Sequence, residues 1–125
     1  MEKYTDLAAR ILLGLIFVMA GINKMGAGYD GTAGYMDSMG VPGGLLPLVI
    51  LTELVGGLMI ILGFKIKWAA FALAGFTLLA GIIFHGNFAD QMQSILFMKN
   101  LAIAGGLLLL VNHGAGGLSI DKKLS

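Results

Sequence analysis

The chain has 125 residues, of which 58% are hydrophobic and only 12% are charged, and its mean hydropathy is +0.90. Soluble domains contain about 45–50% apolar and about 25% charged residues, and a small domain buries only about two-thirds of the surface that its unfolded chain exposes. The composition therefore excludes an ordinary soluble enzyme, a disordered chain and a nucleic-acid-binding protein, and it predicts a single-domain integral membrane protein over residues 1–125. The net charge of +1 gives no indication of an anionic partner, and the absence of cysteine excludes disulfides and thiolate metal sites.

Four apolar segments follow one another along the chain, and each is long enough to cross a membrane as a helix. We predict helices over residues 5–24, 45–64, 67–86 and 94–112. Strands are excluded because the segments do not alternate apolar with polar residues and because four strands cannot close a barrel. The predicted fold class is therefore an all-α transmembrane four-helix bundle. The first segment also has features of a secretory leader, but three further segments of the same character favour its retention.

A glycine-rich connection, Asn23–Gly44, joins the first two segments. Within it, Tyr35–Met39 has two interpretations. It forms either a short interfacial helix that Gly40 ends, with Pro42 just beyond, or a flexible loop.

Basic residues are divided unequally between the two ends of the predicted bundle. With four spans, both termini and the turn at residues 65–67 lie at one end, which holds six Lys and Arg residues against two at the other. Because loops rich in Lys and Arg stay in the cytoplasm, we predict that both termini are cytoplasmic. The six are Lys3, Arg10, Lys65, Lys67, Lys122 and Lys123, and the two are Lys24 and Lys99.

Polar residues inside the spans are the strongest indication of a site. Glu53 lies near the middle of the second segment, where an ionised side chain costs about 2.5–3.5 kcal/mol unless it has a partner. We predict that Lys99 is this partner, because the two residues differ by only about 6 Å in depth. Further polar residues lie towards the same, extracytoplasmic end, and two interpretations stay open. They form either a functional site, which is a ligand pocket such as a quinone-headgroup site or a proton relay, or a polar network that only joins the helices. These residues are Asn23, Lys24, His85, Asn87 and Asn100.

Several of the 20 glycines lie inside the predicted spans, where small residues let helix backbones approach closely. The alternative is a close approach of the backbone to a cofactor. His85 and His113 are predicted at opposite ends of the bundle and cannot hold one haem iron together, so no metal site is predicted. The glycines to which we assign a packing role are Gly56, Gly57, Gly105 and Gly106.

Several short motifs recur, in this order and spacing, in one family of membrane proteins. They are Arg10-Ile-Leu-Leu-Gly-Leu-Ile-Phe with Gly21 and Lys24 after it, Gly40-Val-Pro, Glu53-Leu-Val-Gly-Gly-Leu followed by Leu62-Gly63-Phe64, and Gly116-Gly-Leu-Ser-Ile-Asp121. Over nearly its whole length the chain resembles the DoxX family. The resemblance implies a small four-helix inner-membrane protein with a link to membrane redox assemblies, since the family takes its name from a subunit of an archaeal thiosulfate:quinone oxidoreductase. It implies no catalytic residues, although Glu53 and Lys24 match positions that recur in the family.

Three hypotheses about function follow. The first is an integral membrane subunit of a quinone-linked redox complex, with a polar intramembrane site towards the extracytoplasmic side. The second is a non-catalytic accessory or scaffold protein that stabilises a partner, and the third is a small transporter. Quinone is the only cofactor that we propose, and the expected partners are the lipid bilayer and another membrane protein or a second copy, with no nucleic acid. Catalytic residues stay unassigned, and the residues of the hypothetical ligand site are Glu53, His85, Lys99, Asn100, Lys24 and Asn23.

Overall fold

The computed structural model describes residues 2–84 and 89–124, and the regular structure in these ranges is entirely helical. Within them, four helices are long and apolar enough to cross a membrane, the second of them together with the 3₁₀ turn Gly43–Leu45 that precedes it. The predicted four-helix architecture is therefore confirmed. The helices are α1 Glu2–Asn23, α2 Tyr29–Ser38, α3 Leu46–Leu62, α4 Ile66–Phe84, α5 Gln91–His113 and α6 Ile120–Leu124.

The outward faces of the four long helices are apolar. Leu12, Trp68, Phe71 and Ile82 are 63–77% exposed. Soluble monomers rarely expose continuous apolar patches of this extent, whereas the hydrocarbon of a bilayer accommodates them. The helices also satisfy their own backbone hydrogen bonds, as a membrane span must.

The long helices form two closely packed pairs. α1 lies against α3 and α4 lies against α5, while the pairs meet mainly where α3 contacts α4. The main apolar core, which includes Phe17, Ile60, Leu73 and Leu107, lies between the pairs. We call the end of the bundle that holds both termini and the α3–α4 turn the terminal end, and the opposite end the connector end.

Glycine allows the close approach of α1 and α3. A Cβ atom added to Gly14 would lie 2.6 Å from the carbonyl oxygen of Gly57, and one added to Gly57 would lie 2.8 Å from the carbonyl oxygen of Gly14. Real Cβ atoms do not approach an oxygen this closely, so both positions require glycine.

The other glycines with a predicted packing role differ in how closely a neighbouring helix approaches them. A Cβ atom at Gly56 would lie 3.0 Å from the side chain of Leu73 on α4, and one at Gly106 would lie 3.3 Å from the side chain of Leu13 on α1. At Gly105 a Cβ atom would meet nothing within 4 Å. The close approach expected at Gly105 is therefore not made within this chain, because that residue lies on an exposed face of α5.

The chain beyond α5 folds back across the terminal end and caps α4. The Asp121 carboxylate accepts hydrogen bonds from the backbone N–H groups of Lys65, at 2.6 Å, and Ile66, at 2.9 Å. The backbone N–H of Asp121 donates to the carbonyl of Gly63 at 2.9 Å. Free N–H groups at the start of a helix need such acceptors, so the tail supplies the cap that the tight α3–α4 turn lacks.

Arg10 joins this tail to the two helices of the first pair. Its guanidinium is fully buried, donates to the carbonyl of Ile61 at 2.8 Å and also donates to the carbonyl of Leu118. In the sequence, Arg10 is one of the six basic residues of the end predicted to be cytoplasmic. The structure shows that its charge is enclosed by backbone carbonyls instead of being free in solvent.

The connection between α1 and α3, residues 24–45, contains α2, which lies across the connector end. Met36 on α2 is buried against Leu46 and Ile50 of α3. Of the two interpretations of this stretch, the helix is confirmed, but it begins at Tyr29 and ends at Ser38. The earlier start was not predicted because the glycines within these residues lower the helix propensity of the sequence.

Candidate functional site

A cavity of about 420 Å³ lies inside the bundle, between the two helix pairs and beneath α2. Apolar side chains from α1, α3, α4 and α5 form most of its wall, and α2 contributes Thr32, Tyr35 and Met36. Small-molecule sites usually enclose about 300–1,000 Å³ and combine apolar walls with a few polar groups. The size and the lining of this cavity are those of such a site.

Polar groups from three helices lie at a similar depth on the wall. Glu53 lies seven residues after the start of α3, Thr77 lies seven residues before the end of α4, and Asn100 lies nine residues after the start of α5. With a rise of 1.5 Å per residue, these positions are about 10–14 Å inside the connector end. The antiparallel order of the helices therefore brings residues that are far apart in sequence to one level.

Glu53 forms an ion pair with Lys24. The side chain of Glu53 is 6% exposed, and its Oε1 lies 2.8 Å from Nζ of Lys24. Although Lys24 follows the last residue of α1, its side chain turns back along the helix, and the ammonium also donates to the carbonyl of Ala20 at 3.4 Å. The pair lowers the free-energy cost of placing a carboxylate at this depth.

The prediction that Lys99 pairs with Glu53 is wrong. Lys99 lines the same cavity but is exposed, and Glu53 takes Lys24 as its partner. The prediction compared only the depths of the backbone positions. It did not allow for a lysine side chain that reaches back along its own helix.

Asn100 and Thr77 connect α5 to α4 on the cavity wall. Nδ2 of Asn100 donates to the backbone carbonyl of Thr77 at 3.1 Å. A Cβ atom at Gly81 would lie 3.2 Å from the same Nδ2, so a larger residue there would press on Asn100. Part of the role of Asn100 is therefore to join helices, as one of the two interpretations of the polar residues proposed.

The hydroxyl of Thr77 is the polar group of the wall that the sequence analysis missed. Thr77 is 4% exposed, and its Oγ1 has no hydrogen-bond partner among the residues that the structure describes. A threonine inside a helix usually bonds to its own preceding turn, so nothing in the sequence indicates a free hydroxyl at this position. A buried polar group without a partner costs free energy, and an acceptor or donor in the cavity would satisfy this hydroxyl.

The structure places four of the six predicted site residues on this cavity. Asn23 is exposed at the end of α1 and does not line the cavity. His85, like Asn87, lies outside the described residues. In residues 2–84 and 89–124, no three His, Cys, Asp or Glu side chains are close enough to hold a metal ion. The four residues on the cavity are Lys24, Glu53, Lys99 and Asn100.

Comparison with known families supports the resemblance seen in the motifs. The sequence model of the DoxX family matches residues 5–86. The chain belongs to the DoxX family. The matched range includes Lys24, Glu53 and Thr77, and it covers α2, α3, α4 and nearly all of α1, which are four of the five helices that line the cavity.

Individual relatives place this DoxX-family chain in the inner membrane. It is 52% identical to the inner membrane protein YqjF of Escherichia coli (strain K12) over 100% of this chain and 98% of YqjF. It is 37% identical to the inner membrane protein YphA of the same organism, over 94% of this chain and 88% of YphA. A third relative, "Putative oxidoreductase CatD" of Bacillus subtilis (strain 168), is 30% identical over 85% of this chain and 83% of CatD. No solved structure matches the chain at a significant level.

Proposed function

We propose that this chain is the quinone-binding integral membrane subunit of a redox complex. The observation that carries the proposal is the cavity, which combines apolar walls with polar groups gathered at one depth. A quinone combines polar and apolar parts in the same way, because it joins a ring with two carbonyl acceptors to a hydrocarbon tail. The name of CatD as an oxidoreductase supports a link to redox chemistry.

The polar groups on the wall fit the hydrogen bonds that a quinone ring needs. The ammonium groups of Lys24 and Lys99 and the hydroxyl of Thr77 can donate to ring carbonyls, and Glu53 can accept from a ring hydroxyl. A quinone that is reduced to a quinol takes up two electrons and two protons. In this proposal a partner redox subunit supplies the electrons, and the Lys24–Glu53 pair lies beside the ring, where it can hold and transfer a proton.

The buried ion pair itself supports a role towards a ligand. Replacement of a buried ion pair by apolar residues of similar size is often neutral or stabilising, because desolvation of both charges offsets their attraction. Stability alone is therefore a weak explanation for the Lys24–Glu53 pair. A ligand that requires charge at this depth accounts for its presence.

Binding of decylubiquinone to the purified protein in detergent, measured by isothermal titration calorimetry, tests the proposal. Lys99→Met should lower the affinity about tenfold or more, because it removes one charged hydrogen bond. The matched control is Lys67→Met, which removes an exposed lysine at the terminal end, away from the cavity, and should leave the affinity unchanged. Glu53→Gln should also weaken binding while thermal unfolding shows an intact fold.

Two results would contradict the proposal. One is a wild-type protein that binds neither decylubiquinone nor menadione. The other is a Lys99→Met variant that binds decylubiquinone like the wild type. A stable complex with another membrane protein, isolated without any bound quinone, would favour the accessory or scaffold hypothesis instead.

A further inference from the structure

The seam between α1 and α5 is the most open of those around the cavity. α1 packs closely on α3, α3 on α4, and α4 on α5, whereas α1 and α5 contact each other at few points. One such point is Leu13 with Gly106, where a Cβ atom on the glycine would lie 3.3 Å from the leucine side chain. Gly106 lies 15 residues after the start of α5, so this contact is far from the connector end.

Between that contact and the connector end, both edges of the seam belong to the cavity. Side chains of α1 and α5 that line the cavity are half-buried or exposed, except Phe17. Ile16 and Ile103 pack against the main core while part of each side chain stays uncovered. The apolar ones, which form a path suited to a hydrocarbon chain, are Ile16 and Ala20 on α1 and Leu96 and Ile103 on α5.

At the connector end, α2 lies over the cavity among the residues that the structure describes. The Tyr35 ring lies 5.6 Å from the Phe84 ring, and its hydroxyl donates to the Phe84 carbonyl at 3.4 Å. The Asp37 carboxylate accepts from the backbone N–H of Gly43 at 2.6 Å, which fixes the end of α2 to the start of α3. α2 is thus attached to both helix pairs above the cavity.

Lys99 lies on the α5 edge of the seam with a charge that the protein does not neutralise. It is exposed, it lines the cavity, and no carboxylate in the described ranges lies within ion-pair distance of its ammonium. An unpaired ammonium in a membrane span is costly. A polar group of a ligand that enters past this edge would give it a partner.

We infer that the cavity opens sideways into the bilayer between α1 and α5. It takes a membrane-dissolved ligand whose polar head lies against Glu53 and Lys99 and whose hydrocarbon chain leaves through this seam. The identity of the head as a quinone rests on the proposed function, whereas the sideways opening does not. The ligand class is therefore an amphiphile that reaches the site from the lipid and not from water.

A pair of quinones with the same ring tests where the chain of the ligand lies. Decylubiquinone carries a ten-carbon chain, and ubiquinone-0 carries none. Ile103→Trp, which fills the seam, should weaken decylubiquinone binding about tenfold and ubiquinone-0 binding less than about threefold. Comparison of each variant with the wild type for each quinone cancels the partition of the two quinones into detergent. Leu101→Trp, at an exposed position of α5 that does not line the cavity, is the control and should affect neither.

Equal losses of both quinones in Ile103→Trp would overturn the inference, because the substitution would then act on the head or on the fold. Unchanged binding of both would overturn it as well, since the chain would then leave elsewhere.

A second measurement needs no ligand and separates this inference from the proposed function. Since the chain has no cysteine, a nitroxide can be attached to Ile16→Cys or Ile103→Cys in lipid vesicles without further changes. An opening to the bilayer should give these labels high collision rates with oxygen, which dissolves in lipid, and low rates with a water-soluble nickel complex. Ala104→Cys, at a buried position of α5, is the matched control with low rates for both.

Oxygen rates at residues 16 and 103 as low as at residue 104 would overturn the sideways opening, even in a protein that binds quinone. High oxygen rates in a protein that binds no quinone would leave the opening in place and refute the proposed function instead.

Discussion

The Lys24 side chain carries its charge from the end of α1 down to Glu53. Its ammonium lies against the carboxylate and against the carbonyl of Ala20, one turn back along the helix. Hydrocarbon does not solvate a lone charge, so each partner depends on the other. Of the two residues, the lysine better tolerates the loss of its partner, because its side chain is 26% exposed against 6% for the glutamate.

Removal of Lys24 should therefore destabilise the protein more than neutralisation of Glu53. We expect Lys24→Met to lower the free energy of unfolding by about 3 kcal/mol, since it leaves a buried carboxylate without a partner. Glu53→Gln should cost less, because the amide still accepts a hydrogen bond and the ammonium can turn to solvent. The loss in the double variant should be smaller than the sum of the single losses by about 1–3 kcal/mol. Reversible unfolding in mixed detergent micelles measures all three.

Lys99 provides the control for this double-mutant cycle of Lys24 and Glu53. Because Lys99 is not paired with Glu53, Lys99→Met combined with Glu53→Gln should be additive within about 0.5 kcal/mol. Strong coupling in this second cycle, together with additivity in the first, would show that the carboxylate has Lys99 as its partner in the membrane.

At this scale the sequence predicts which residues matter better than it predicts their contacts. Glu53 is found because a carboxylate in the middle of an apolar segment is costly. The choice between Lys24 and Lys99 depends on how a long side chain turns, which no spacing in the sequence contains. The free hydroxyl of Thr77 is not predicted either, because it results from a hydrogen bond that is not made.

The packing of α1 on α3 depends on glycine at the crossing point. An alanine at residue 57 would place its Cβ atom 2.8 Å from the Gly14 carbonyl oxygen and 2.9 Å from Val18 Cγ2. We expect Gly57→Ala to destabilise the protein by about 1–3 kcal/mol, because the helices must move apart. Gly105→Ala is the matched control, since nothing lies within 4 Å of its Cβ atom. It should be neutral or stabilise by up to about 1 kcal/mol through helix propensity.

Thermal unfolding in detergent compares these two variants. Equal stability of Gly57→Ala and Gly105→Ala would mean that α1 and α3 do not approach each other as closely as the structure shows.

The segment after α5 acts as part of the cap of α4. Asp121→Ala removes the acceptor of two backbone N–H groups, those of Lys65 and Ile66. Loss of a helix cap typically costs about 0.5–2 kcal/mol, and we expect a loss in this range together with faster proteolysis of the tail. Lys123→Ala, an exposed change in the same short helix, should affect neither. A tail that is cut at the same rate in both variants would show that it is not held through Asp121.

Elements could be predicted from the sequence where their signal is local. The long apolar runs identify α1, α3, α4 and α5, and the turn residues place their ends within a few positions. The attachment of the tail could not be predicted, because Arg10 and Leu118 are 108 residues apart in sequence. A buried arginine that holds two backbone carbonyls looks, in sequence, like one more basic residue near a membrane surface.

At the scale of the whole molecule, the two helix pairs determine where a ligand can lie. Glycine and leucine bring α1 to α3 and α3 to α4, and the apolar core fills the terminal half. Towards the connector end the pairs enclose the cavity instead of a continuous core. Polar groups lie on the wall of this less densely packed half, where they do not interrupt the core.

We predict the orientation of the bundle from the number of basic residues at each of its ends. The structure places both termini and the α3–α4 turn at one end, where Arg10 is enclosed by carbonyls and contributes no free charge. Five lysines remain there, while at the connector end Lys24 is paired with Glu53 and only Lys99 is unpaired among the described residues. The excess of basic residues at the terminal end is therefore retained even without Arg10, with five lysines against two, and we predict that this end is cytoplasmic. A fluorescent protein fused to the C-terminus should be bright. Alkaline phosphatase inserted after Gly40, an open turn between α2 and α3, should be active, and the same insertion after Lys67 should be inactive. Active phosphatase after Lys67, with an inactive enzyme after Gly40, would reverse the orientation and place the cavity in the cytoplasmic half of the membrane.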